Sequence, residues 1–275
     1  MNMTTSRTSL SLASLTVMLL TSLSSPVFAA PSVTDTITVG DGPYSVAFSP
    51  KGKTAYVANT NGGTVSVITV STGDVTDTIT VGYGPASVAF SPNSKKAYVV
   101  NSNGGTVSVI TVSTGDVTDT ITVGDTPYSV AFSPNGKKAY VANVSVITVS
   151  TGDVTDTITV GDGPQSVAFS PKGKKAYVAN VSDETVSVIT VSTGDVTDTI
   201  TVGDAPAAVA FSPNGKTAYV ANRGADTISV ITVSTGDVTD TISVGDFPQS
   251  VAFSPKGKTA YVANRNDDTI SVIKN

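Results

Sequence analysis

The sequence predicts an all-β fold, a six-bladed β-propeller with four antiparallel strands per blade, forming one ring over residues 31–275. Three observations carry this. An eighteen-residue motif, first read at Gly42–Asn59 as GPYSVAFSPKGKTAYVAN, recurs with its Phe at 48, 90, 132, 169, 211 and 253, and a period near 42 marks a repeat architecture. Each unit divides into four short runs rich in Val, Ile and Thr with period-two alternation, which is strand chemistry rather than helix chemistry. The chain has no His and no Trp, so the competing blade with Gly-His and Trp-Asp signatures is excluded.

In chain order, Met1–Ala30 stands apart from the repeats. Arg7 supplies a positive start, Leu10–Leu23 is apolar with interspersed Ser and Thr, and Val27-Phe28-Ala29-Ala30 offers small residues for cleavage. This predicts a signal peptide over 1–30, cut after Ala29 or Ala30, and hence an exported protein of the extracellular space, cell surface or periplasm. No later run approaches the length of a transmembrane helix, so no transmembrane anchor is expected. Without Cys, neither a lipoprotein anchor nor a disulfide is available.

Val33–Val39 (VTDTITV) copies the fourth strand of the unit but precedes the first full copy, and Thr269–Ile273 copies the third strand. The expectation is that Val33–Val39 completes the last blade and closes the ring, because an open blade would leave a bare strand edge. Within the first unit, Ser45–Ser49 and Thr54–Asn59 are joined by Pro50-Lys51-Gly52-Lys53, a type I turn followed by a bulge. Asn61-Gly62-Gly63 then leads to Thr64–Val70, and Ser71-Thr72-Gly73-Asp74 to Val75–Val81. One step is short: after Asn143 the chain runs directly into Val144-Ser145-Val146-Ile147. The register expected there sets Val141 against Val146, leaving Asn143-Val144 as a two-residue turn that Val resists.

The motif Tyr-Val-Ala-Asn after Ser-Pro-x-Gly-Lys, followed by Val-Ser-Val-Ile, resembles the YVTN-type β-propeller repeat from Val33 to the C-terminus. The resemblance implies a secreted or surface-layer-like prokaryotic propeller, and some of its members resemble lactonases. The chain departs from the family pattern at Thr69, where the family often has Asp, and at Lys51 and Asn93, where it often has Pro-Asp-Gly.

Charge is sorted by position. Lysines such as Lys51, Lys53, Lys95 and Lys96 fill the first turn of each unit, and Asp74 and its equivalents mark the turn after the third strand, so one face is a solvated mixture of both signs. With a net charge of −5 and no basic groove, nucleic acid is not an expected partner. The opposite face gathers Asp41, Asp125, Asp162, Asp204 and Asp246, which offer oxygen ligands to Ca²⁺ or else stabilise their own turns. No His or Cys and a single Glu, Glu184, remove the commonest general base, the strongest nucleophile and the usual zinc ligands, so no enzyme and no cofactor is expected.

Outside the repeat core, four aromatic residues remain on that second face, Tyr44, Tyr83, Tyr128 and Phe247, in blades one, two, three and six. They form a contiguous arc with Arg265 at its edge, a surface suited to a peptide or glycan. The expected function is therefore a secreted, non-enzymatic binding module contacting an envelope protein or glycan. The alternatives are a propeller enzyme of lactonase type and a self-associating structural component of a surface layer.

Overall fold

The computed structural model describes residues 36–275 apart from Val144. The predicted signal peptide and Val33, Thr34 and Asp35 lie outside the described residues. Six antiparallel sheets follow one another along the chain, each with its strands in sequence order. Blades one, two, four and five (43–80, 85–122, 164–201 and 206–243) have four strands of six residues each. Blade three (130–157) has four shorter strands, and blade six (248–274) has three among the described residues.

Burial follows the order of strands. The second strand, Thr54–Asn59 in blade one, is buried at almost every position, whereas in the fourth, Val75–Thr80, only Ile79 is buried. A strand with a neighbouring blade on each side must be apolar on both faces, and the outermost needs one apolar anchor. Between blades the core is an aromatic ladder. Tyr56 meets Phe90, Tyr98 meets Phe132, Tyr140 meets Phe169, Tyr177 meets Phe211 and Tyr219 meets Phe253, with ring centroids 4.6–4.8 Å apart. Such tilted pairs add about 0.5–1.5 kcal/mol each beyond burial. The pair that would lock blade six to blade one is not made: Tyr261 is 48 % and Phe48 60 % exposed. Of the expected closing strand, the described residues 36–39 are not in a strand, and Val39 packs on Ala55, Val57 and Ile68 of blade one.

The closing Asn of five of the six motifs is a buried brace. In blade two, Asn101 Nδ2 donates to Thr106 Oγ1 at 3.0 Å and to Ser108 Oγ at 2.9 Å, tying the second strand to the third. The same pair of bonds recurs at Asn59, Asn180, Asn222 and Asn264. Gly82 lies against this brace, and a Cβ there would stand 2.5 Å from Asn101 Nδ2, so the position admits no side chain. The turn at Pro50–Lys53 has the predicted form, with Gly52 at φ +65° and its N–H donating to Ser49 O at 2.7 Å.

Blade three corrects the expected register. Tyr140, not Val141, lies opposite Val146, matching Tyr56 opposite Val67 in the full blade. A slip of one residue would turn every core side chain outward, so the five missing residues shorten the loop and the strands without moving the register. The connection is consequently longer than two residues, starting at Ala142, and Asn143 Nδ2 finds Val123 O at 2.8 Å in place of the missing Thr. Val144 lies outside the described residues.

Candidate functional site

The first strands run toward one end of the propeller axis, and their opening residues bring all six blades together. After the Pro that begins each of these segments stand Tyr44, Ala86, Tyr128, Gln165, Ala207 and Gln249, and together they ring a chamber of about 680 Å³. Ser45, Ser87, Ser129, Ser166 and Ser250 line it one step deeper. Each inner strand pairs antiparallel with the second strand of its own blade, which fixes its backbone beside the axis. Among the described residues, Arg265, from the loop between the second and third strands of blade six, is the one charged side chain lining the chamber. The chamber therefore offers phenol, hydroxyl, amide and guanidinium groups, all of which can donate hydrogen bonds, and no carboxylate from the described residues.

The structure divides the aromatic arc expected from sequence. Tyr44, Tyr128 and Arg265 share the chamber, with Tyr44 and Tyr128 61 % and 43 % exposed. Tyr83 does not line it and projects into solvent at 69 % exposure. Phe247 stands behind Arg265, whose Cζ is 5.7 Å from the ring centroid. Arg223 of blade five lies 5.6 Å from the same ring. Gln165 and Ala207, which from sequence stand outside the arc, face the chamber directly, and so does Gln249. Their signal in the sequence is the variable residue after each loop Pro, where neighbouring positions hardly change.

The five Asp residues suggested as calcium ligands are not gathered. None lines the chamber. Among the described residues no group of three or more His, Cys, Asp or Glu is placed to hold a metal ion. Four of the five are instead tied within their own blade: Asp41 O accepts from Gly62 N, Asp204 O from Gly224 N, and Asp162 N and Asp246 N donate to the carboxylates of Asp183 and Asp267. Asp125 and Asp162 border a separate groove of about 350 Å³ beside Tyr128, opened by the short loop of blade three. Among the described residues no helix is long and apolar enough to cross a membrane.

The tyrosines of the ladder are core groups. Burial pushes the hydroxyls of Tyr98 and Tyr177 up to about 12, helped by the negative charges of Asp119 and Asp198. A phenol held neutral inside an interface is a packing element rather than a reactive one.

Comparison with known proteins gives one family match and many structural ones. Residues 149–275 match the family described as lactonase, 7-bladed beta-propeller. No curated protein matches the chain. Among solved structures, one from Bacteroides uniformis described as a 6-phosphogluconolactonase superposes with a TM-score of 0.75 at 22% identity, covering 87% of this chain and 82% of the other. A functionally unknown protein from Desulfotomaculum acetoxidans gives a TM-score of 0.76 at 16% identity, covering 86% and 84%. The hydrazine synthase of Kuenenia stuttgartiensis gives 0.61 at 22% identity, covering 90% and 99%. These likenesses establish the propeller fold. The lactonase match also corrects the expectation of a non-enzymatic envelope-binding module. That expectation rested on missing His and Cys, which removes two kinds of catalytic group but leaves water as a nucleophile and the chamber's donors as stabilisers of developing charge.

Proposed function

We propose that this protein is a lactonase-type propeller hydrolase that opens a cyclic ester in the axial chamber. The observation that carries the reading is the chamber itself, where all six blades meet around hydrogen-bond donors and the Arg265 cation. The match over 149–275 supports it, because blades four to six supply Gln165, Ser166, Gln249, Ser250 and Arg265 to that chamber. In the reaction, water adds to the ester carbonyl, the ring C–O bond breaks, and the proton lost by water ends on the released alkoxide, giving a hydroxy acid. The barrier is dominated by negative charge collecting on the carbonyl oxygen. The Arg265 guanidinium, the Gln165 and Gln249 amides and the Tyr44 and Tyr128 hydroxyls are the donors available to stabilise it. The test is acid release from δ-gluconolactone at constant pH, with Arg265→Ala and the double variant Tyr44→Phe/Tyr128→Phe. Turnover above the spontaneous rate, reduced at least tenfold by the chamber variants, is expected. Acid release no faster than without protein, or equal in all three proteins, overturns the reading.

The finer assignment of the repeats to the YVTN type rests on the recurring Tyr-Val-Ala-Asn motif. With the leader-like composition of 1–30 it supports an exported enzyme. N-terminal sequencing of protein recovered outside the producing cell would read Ala30 or Pro31 first, and an intact Met1 would refute export by cleavage.

A further inference from the structure

The lysines of the first turns are not spread evenly. Blades two, three and four carry adjacent pairs, Lys95-Lys96, Lys137-Lys138 and Lys174-Lys175, and the second of each pair opens the second strand. Blades one, five and six open the same strand with Thr54, Thr217 and Thr259. The next three residues are Ala-Tyr-Val in all six blades, so a Lys confined to three neighbouring blades is a local feature and not repeat chemistry.

The structure gives these pairs grooves. Lys95, Lys96 and Lys137 line one of about 520 Å³ between blades two and three. Lys137, Lys138 and Lys174 line one of about 560 Å³ between blades three and four. Lys137 belongs to both, so the two grooves share a wall. Ser, Thr and Asn side chains make up most of the remaining lining, and no carboxylate from the described residues joins them. Among the described residues none of these lysines is in an ion pair. The face that reads from sequence as a mixture of both signs is thus sorted, with Asp153 and Asp195 exposed outside the grooves.

Two of the ammonium groups are held in place across a blade junction. Lys138 Nζ donates to Val191 O at 3.5 Å, and Lys175 Nζ donates to Val233 O at 3.2 Å, each carbonyl lying just past the third strand of the next blade. A carbonyl occupies one of three N–H donors and neutralises no charge, so each ammonium keeps its charge and two donors for a ligand. The grooves also lie away from the chamber. Ser87 lines the chamber, and Ser91, four residues along the same chain direction, lines a groove, ~13 Å further on at strand rise.

We propose that these grooves form one cationic track across blades two to four that binds an acidic polysaccharide of the uronic acid type. A row of ammonium groups set among hydroxyls and amides matches a chain that carries carboxylates among hydroxyls. The lining has no aromatic side chain, whereas single-stranded nucleic acid is held on stacking platforms. The track shares no residue with the chamber and does not rest on the hydrolase reading.

Calorimetric titration of the protein with polygalacturonate and with its fully methyl-esterified form tests the track. The polyuronate is expected to bind and the ester, which keeps most hydroxyls but loses the charge, is not. Binding should weaken as salt rises. Lys96→Thr/Lys138→Thr/Lys175→Thr installs the residue that blades one, five and six already use, and should weaken binding by about tenfold or more. Lys95→Gln/Lys137→Gln/Lys174→Gln removes charge where no side-chain hydrogen bond is made, so it should weaken binding similarly with the melting temperature unchanged. Arg265→Ala, in the chamber, should bind the polyuronate like wild type. Equal binding of the ester, wild-type affinity in the glutamine variant, tighter binding of single-stranded DNA than of polyuronate, or loss of binding in Arg265→Ala would each overturn the proposal.

Discussion

Replacing Tyr177 by Phe should stabilise the protein, and the gain should grow with pH. The Tyr177 side chain is fully buried, its ring pairs with Phe211 at 4.7 Å, and its hydroxyl has no hydrogen-bond partner among the described residues. An unsatisfied buried hydroxyl costs about 1–3 kcal/mol, so deleting it while keeping the ring should gain about 1 kcal/mol at pH 8. Burial, with Asp198 beside it, raises the phenol to about 12 in the fold, above the value near 10 of an exposed tyrosine. Because the raised value belongs to the folded state, the folded protein holds its proton longer than the unfolded chain. Stability from this group is therefore complete below pH 10 and lost progressively between pH 10 and 12. At pH 11 the loss is about 1.4 kcal/mol, and the phenylalanine variant escapes it. Urea denaturation of wild type and Tyr177→Phe at pH 8 and pH 11 should thus show an advantage that roughly doubles. Tyr219 is the internal control, since its hydroxyl donates to Asn275 Oδ1 and its loss should cost about 1 kcal/mol. A destabilised Tyr177→Phe, or an advantage equal at both pH values, would refute the account of the ladder.

Two further outcomes test how the blades are joined. Phe211→Ala should cost about 3–5 kcal/mol, whereas Phe48→Ala, whose ring is exposed and unpaired with Tyr261, should cost under about 1 kcal/mol. Equal losses in thermal melts would mean that the sixth pair forms in solution like the other five. Gly82→Ala should cost about 2 kcal/mol or more by pressing on the Asn101 brace, while Gly52→Ala, which meets nothing within 4 Å, should cost only the strain of its positive φ, about 1 kcal/mol. A cheaper change at Gly82 than at Gly52 would refute the brace.

The sequence by itself determined the blades. Repetition of Tyr-Val-Ala-Asn and Val-Ala-Phe at a fixed period dictated six sheets, and alternation along Val75–Thr80 dictated which strand meets water, because period-two patterning is read locally. The turn at Pro50–Lys53 was equally legible, since Gly52 states its own backbone requirement. Tertiary structure decided everything that depends on which blades approach one another. Tyr83, before Pro85, and Tyr44, after Pro43, both sit in loops ahead of a first strand, yet only the residue after the Pro opens onto the axis. Gln165 and Gln249 stand at the variable position after the loop Pro, and they become chamber groups only when six separate strands converge. Arg223 and Arg265 lie a full repeat apart, and only ring packing puts both on Phe247. The shortened blade shows the same division. The missing residues are plain in the sequence, but whether the strands slip or the loop shrinks was settled by the cost of turning core side chains outward, a quantity that exists only once neighbouring blades are in place.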